Sequence, residues 1–191
     1  MTTPPLSPRW PARLLDVLRR LNRLVAIAIG AVLLACAALV LADVALRQVG
    51  ASFGGTDEIS GYVMALATSW GMGYALMELG HVRIDLIRGR LREGGRALFD
   101  LFALLVLAGT VSLIAVQGWP VLARSLANSS RANTVLETPL AWVQAPWLAG
   151  WVWFALVAWA TFAAALALVW NRDFAAADAA IGTRGEEDLA Q

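Results

Sequence analysis

The sequence predicts an all-α integral membrane protein. It has four transmembrane helices, both termini on the cytoplasmic side, and an amphipathic N-terminal helix in the membrane interface. Three observations predict this. Hydrophobic residues make up 59% of the 191 positions, with a mean hydropathy of +0.65, against roughly 45–50% apolar in soluble domains. The excess sits in four long runs, and the short segments between them hold nearly all the charge, as expected for membrane spans rather than one large soluble core. The basic residues also fall mostly on one side of those runs.

The runs cover residues 24–46, 59–79, 97–122 and 142–170. Each is close to or above the ~20 residues that cross a ~30 Å hydrocarbon core. Backbone polar groups in lipid must be satisfied internally, so each run is expected to be a helix. The third and fourth exceed one straight crossing, which tilt or extension into the interface accommodates. The chain thus divides into a cytoplasmic N-terminal segment (1–23), a four-helix membrane domain (24–170) and a cytoplasmic acidic tail (171–191).

All fifteen basic residues are arginine. Twelve lie before the first run, between the second and third, or after the fourth; only Arg47, Arg124 and Arg131 lie on the other side. The positive-inside rule then places both termini and the middle loop in the cytoplasm, and the acidic Glu186, Glu187 and Asp188 weigh little against it. The formal net charge of +1 carries no further message, and no nucleic-acid partner is expected. The segment Leu33-Leu34-Ala35-Cys36 resembles a lipoprotein cleavage box. The apolar run continues straight past it, so Cys36 is read as a helix residue, and the long basic leader also argues against a cleaved signal peptide.

Residues 10–23 are amphipathic. At ~100° per residue, Trp10, Leu14, Val17, Leu18 and Leu21 share one face, and Arg13, Asp16, Arg19, Arg20 and Arg23 share the other. A basic amphipathic helix before a span is expected to lie in the interface with its arginines toward anionic lipid. Trp10, Arg13, Arg19, Arg20 and Arg23 are therefore the lipid-interface candidates, and the competing reading is a cytoplasmic extension of the first span.

The chemistry that the runs lack narrows the function. Asp43, Glu58, Glu78 and Asp100 all lie near run ends, whereas ion-coupled transport by a single chain needs ionisable groups deep in the membrane. His81 is the sole histidine and Cys36 the sole cysteine, which excludes bis-histidine haem ligation and paired-cysteine exchange. Zinc-protease, nucleophile-elbow and P-loop patterns are missing. No enzyme activity, metal or cofactor is expected. The runs instead carry packing surface. Gly61/Ala65, Ala67/Gly71 and Ser69/Gly73 form small-xxx-small pairs in the second. Trp151, Trp153 and Trp159 sit deep in the fourth, as candidates for helix or partner contacts.

Four polar constellations remain. Asp43 and Arg47 form an acid-before-base i,i+4 pair. Thr56-Asp57-Glu58 opens the second run, where acidic residues suit a helix N-terminus; Thr56 or Asp57 is the expected N-cap, and Glu58 is placed to reach Arg47 across the short loop. His81-Val82-Arg83-Ile84-Asp85 alternates polar and apolar residues at the membrane surface. The loop from Ser129 to Trp142, with Arg131, Glu137, Thr138 and Pro139, is polar and turn-rich and faces outward.

Taken together, Arg47 closing the first helix, Glu58 opening the second, Gly80-His81-Val82-Arg83-Ile84-Asp85 following it, and Thr138-Pro139-Leu140-Ala141-Trp142 entering the fourth resemble the DctQ-like small membrane subunit of tripartite ATP-independent periplasmic (TRAP) transporters. The resemblance covers roughly residues 24–170. It implies a scaffold in the bacterial inner membrane, paired with a large membrane subunit that carries the substrate and sodium sites. A periplasmic substrate-binding protein would deliver an organic acid, often a dicarboxylate. Carried over by position, Arg47, Glu58, His81, Arg83 and Asp85 are the partner-interface candidates. The alternatives are a stand-alone or oligomeric four-helix transporter or channel, and an assembly factor of another membrane complex.

Overall fold

The computed structural model describes residues 9–80 and 90–182, and every regular element among them is helical. Helix α1 spans Arg9–Arg47, α2 Thr56–Met77, α3 Glu93–Ala127, α4 Leu140–Trp170 and α5 Phe174–Ile181. Three of them, α1, α3 and α4, are long and apolar enough to cross a membrane. Helix α2 is shorter, and its first turn carries Asp57 and Glu58.

Helix α4 is the centre. It packs against each of the other four helices, because its apolar residues cover the whole circumference instead of one stripe. Phe154, Val157, Ala158, Ala164 and Ala165 are buried there against Leu104, Ala108 and Val111 of α3. By contrast, the most apolar stretch of α1 buries none of its residues within the chain.

Two glycines show how α2 comes close to its neighbours. A methyl group added at Gly150 of α4 would stand 2.5 Å from the Ser69 hydroxyl, and one at Gly73 would stand 2.6 Å from Asn22 Oδ1. Without a side chain at these points the backbones approach directly. Of the three small-residue pairs expected, Ser69/Gly73 is thus the one at a tight crossing; Gly61 and Gly71 face open space.

Two further departures from the sequence reading concern the ends. The boundary at residues 23 and 24 falls inside α1, which continues unbroken from Arg9. Charge density changes there, but the hydrogen-bonded backbone has no reason to stop. Within this segment the bundle buries Pro11, Leu15, Leu18 and Asn22. Of the apolar face expected, Leu18 is buried and Leu14 half-buried, while Trp10, Val17 and Leu21 stay exposed. Arg13, Arg19, Arg20 and Arg23 are exposed as well. At the other end, the expected tail begins with α5. The Asp173 carboxylate caps it by accepting from Ala176 N at 3.2 Å, and Ala177, Ala180 and Ile181 are buried against the core.

Candidate functional site: a polar latch at the loop end

The α1–α2 and α3–α4 loops meet at one end of the bundle, and Asp43 organises the first of them. Its side chain is 1% exposed, so its charge is tolerable only with donors around it. It has them in number. Oδ1 accepts from Ser52 Oγ at 2.8 Å and from Phe53 N at 2.7 Å. Oδ2 accepts from Thr56 Oγ1 at 2.9 Å and from Arg47 Nε at 2.8 Å, and Arg47 Nη2 stands 2.6 Å away. One carboxylate therefore joins the last turn of α1, the loop and the first residue of α2. Arg47 is half exposed.

The i,i+4 pair expected of Asp43 and Arg47 is present. The Arg47–Glu58 contact is not: Arg47 reaches the Thr56 hydroxyl instead, at 3.4 Å. The expected N-cap also shifts. Gly55 takes that position, in the left-handed region at φ 72°, with no side-chain cap, because the Thr56 hydroxyl is already committed to Asp43. Glycine is required at 55 twice over: by this φ, and because an added methyl would stand 2.5 Å from Leu136 Cγ.

Glu58 turns outward to the second loop. Oε1 accepts from the Tyr62 hydroxyl and Oε2 from Leu136 N at 3.3 Å. Glu58 lies ahead of the apolar run that starts at Ile59. The hydroxyls of Thr134 and Tyr62, with smaller help from Thr138 and Leu136 N, hold its carboxyl below the ordinary glutamate range against the opposing effect of desolvation. The loop it grips is itself ordered: Ala132 N donates to Thr138 O at 2.9 Å, Leu140 N to Ser130 O at 3.0 Å, and Arg131 Nη1 to Glu137 O at 3.3 Å. Glu58 thereby links the α1–α2 hairpin to the α3–α4 hairpin.

Of the partner-interface candidates, the structure brings Arg47 and Glu58 to this latch, on opposite sides of Thr56. His81, Arg83 and Asp85 lie outside the described residues. The lipid-interface candidates Trp10, Arg13, Arg19, Arg20 and Arg23 lie in the N-terminal part of α1, away from it. Ser52, Tyr62 and Leu136 were not foreseen. Tyr62 was findable, four residues after Glu58 on a helix; Leu136 was not, since its backbone N–H acts and any residue supplies one.

A second polar node, also unforeseen, sits at the opposite end. Asn22 is fully buried; Nδ2 donates to Leu18 O at 2.9 Å and Oδ1 accepts from Trp153 Nε1 at 3.1 Å. Trp159 Nε1 donates to Ser112 Oγ at 2.9 Å and Trp70 Nε1 to Pro146 O at 2.9 Å. Of the three deep tryptophans of α4, Trp153 and Trp159 thus bond to other helices, whereas the buried Trp151 Nε1 has no hydrogen-bond partner among the described residues. Both nodes are structural fastenings: each donor and acceptor named in them is satisfied within the chain.

A family model described as tripartite ATP-independent periplasmic transporters, DctQ component, matches residues 36–168. No curated protein and no solved structure matches the chain. The matched span runs from the middle of α1 to the last turn of α4 and includes the whole latch.

Proposed function

The chain belongs to the DctQ component family of tripartite ATP-independent periplasmic transporters, and from that premise we propose that it acts as the scaffold subunit of such a transporter. A DctQ component is part of a transport system and not an enzyme, and the chain is accordingly a small, multi-pass inner-membrane subunit. The finer reading is a static partner for a large membrane subunit that carries the substrate and coupling-ion sites. A periplasmic binding protein supplies an organic acid of dicarboxylate type. The family match carries this reading. The satisfied polar network supports it, because side chains bonded to one another are poorly placed to relay a substrate.

In this reading α2 makes a fourth crossing and both termini are cytoplasmic. Helix α2 lies beside α1 between Asp43, which Thr56 contacts, and Asn22, which Gly73 approaches. Those residues are separated by ~32 Å along α1 at ~1.5 Å per residue, about one hydrocarbon core. Two of its mid-helix hydroxyls are satisfied internally: Thr68 donates to Met64 O and Ser69 to Leu66 O. The arginine distribution agrees with termini on the cytoplasmic side.

Co-expression with the large membrane protein encoded beside this chain tests the proposal. A stable one-to-one complex in mild detergent, and loss of uptake without this chain, are expected. Normal uptake by the large protein alone, with this chain purifying separately, would defeat it. Arg47→Ala and Glu58→Ala then ask whether the latch seats the subunit; unchanged assembly and uptake in both would confine the latch to internal stability.

A further inference from the structure

The N-terminal part of α1 carries two apolar stripes, and the bundle covers only one. Pro11, Leu15 and Leu18 are buried; Trp10, Val17 and Leu21 face outward. Beside Trp10, the end of α4 adds Ala163, Leu166, Ala167 and Trp170, and with Asn171 these line an open groove of about 360 Å³. Its lining includes two indoles, Trp10 at 49% and Trp170 at 85% exposure, and the small side chains of Ala163 and Ala167. Indoles at the ends of spans belong at the lipid headgroup level. Apart from Asn171 the groove is lined by apolar side chains, which suits a hydrocarbon chain better than a polar solute.

Cations stand beside it. Arg13 is one turn on from Trp10, about 60° round the helix at ~100° per residue. Arg172 follows Asn171 directly, where the chain leaves α4. Both are exposed, and neither makes a side-chain hydrogen bond or ion pair among the described residues. A guanidinium presents a planar set of donors that fits a phosphate. Arg13 lines the neighbouring hollow together with Asp16 and Asp173 but pairs with neither among the described residues, so two guanidiniums flank an apolar trough and complement an anionic amphiphile.

We infer that this groove binds one anionic phospholipid. An acyl chain lies over Ala163 and Ala167 between Trp10 and Trp170, and Arg13 and Arg172 take the phosphate. The site requires only that the chain span a membrane, so it stands apart from the transporter role. Its α1 wall precedes the residues that the family model matches.

The test is native mass spectrometry of the full-length protein in mixed micelles with phosphatidylglycerol or phosphatidylcholine. The wild type is expected to retain one phosphatidylglycerol per chain in preference to phosphatidylcholine. Arg13→Gln with Arg172→Gln should lower that retention about 25-fold, at about five-fold per arginine, and the Arg→Lys pair should restore part of it. Ala167→Leu, which fills the trough, should lower retention of both lipids. Arg90→Gln with Arg92→Gln, ahead of α3 and outside both the groove and the lipid-interface candidates, should leave retention near the wild-type level. Equal loss in the two glutamine pairs would reduce the site to diffuse surface attraction and overturn the inference. So would indifference to headgroup charge. In the co-expressed complex, a crosslink from a cysteine at Leu166 to the large membrane subunit, with no lipid retained, would assign the groove to protein and overturn it too.

Discussion

The two ends of this bundle are held by different physics. At the loop end, a buried carboxylate and a half-buried one gather hydroxyls, backbone amides and a guanidinium. At the termini end, the fastening is close packing: Ala and Leu side chains of α3, α4 and α5, with one neutral Asn22–Trp153 bond among them. The loops place many orphan backbone groups in one spot, and charged acceptors satisfy several at once. Continuous helices have few orphan groups to satisfy, so small residues and shape complementarity suffice.

Disabling each end separately sharpens the contrast. Asp43→Ala has the largest expected effect. It strips acceptors from Ser52, Phe53 N, Thr56 and Arg47 together and should lower the thermal midpoint in detergent by about 5–10 °C. A midpoint equal to that of Arg47→Ala would show that the ion pair alone held the loop. Next comes Gly73→Leu, which drives a side chain into Asn22 and should cost about 1–3 kcal/mol by overpacking; a cysteine pair bridging α1 and α2 would report the separation as lost crosslinking. Asn22→Ala leaves the Trp153 indole N–H unpaired, at about 1–2 kcal/mol, and should change Trp153 fluorescence without moving the loop end. Unchanged stability there would make the bond dispensable to packing.

The smallest effect is a pH dependence confined to the loop end. The Glu58 carboxyl is held below its ordinary value in the folded protein. Its stabilisation is therefore complete above the ordinary glutamate value of about 4.3 and is lost as pH falls through the lowered folded value. Proteolysis at the Val135–Leu136 tip should quicken below that point in the wild type, and Glu58→Gln should abolish the acid-dependent part. An unaltered pH profile in Glu58→Gln would assign the loosening to another group.

Legibility followed the range of each interaction. The Asp43–Arg47 pair was readable because a helix sets its i,i+4 neighbours. Helix α5 was readable in principle from Asp173 before an apolar stretch and Gly182 after it, although an acidic tail suggested otherwise. Asn22 was hidden, because a polar residue in a basic amphipathic segment looks solvent-facing until α2 and α4 close over it. Glu58 was mispaired for a related reason: Arg47 is close in sequence, while Leu136 lies 78 positions away and offers only its backbone N–H.

The sequence by itself determined the membrane solvent, the helical class and the family, because each follows from local quantities: the length of apolar runs, the need to satisfy backbone groups in lipid, and short motifs in a set order. Tertiary structure alone decided which small residues became crossings, which stripe of α1 faces the bundle, and which partner each carboxylate found. Those outcomes depend on residues brought together from distant positions, where an added methyl at Gly73 or Gly150 would stand only 2.5–2.6 Å from its neighbour, a clash and not a contact.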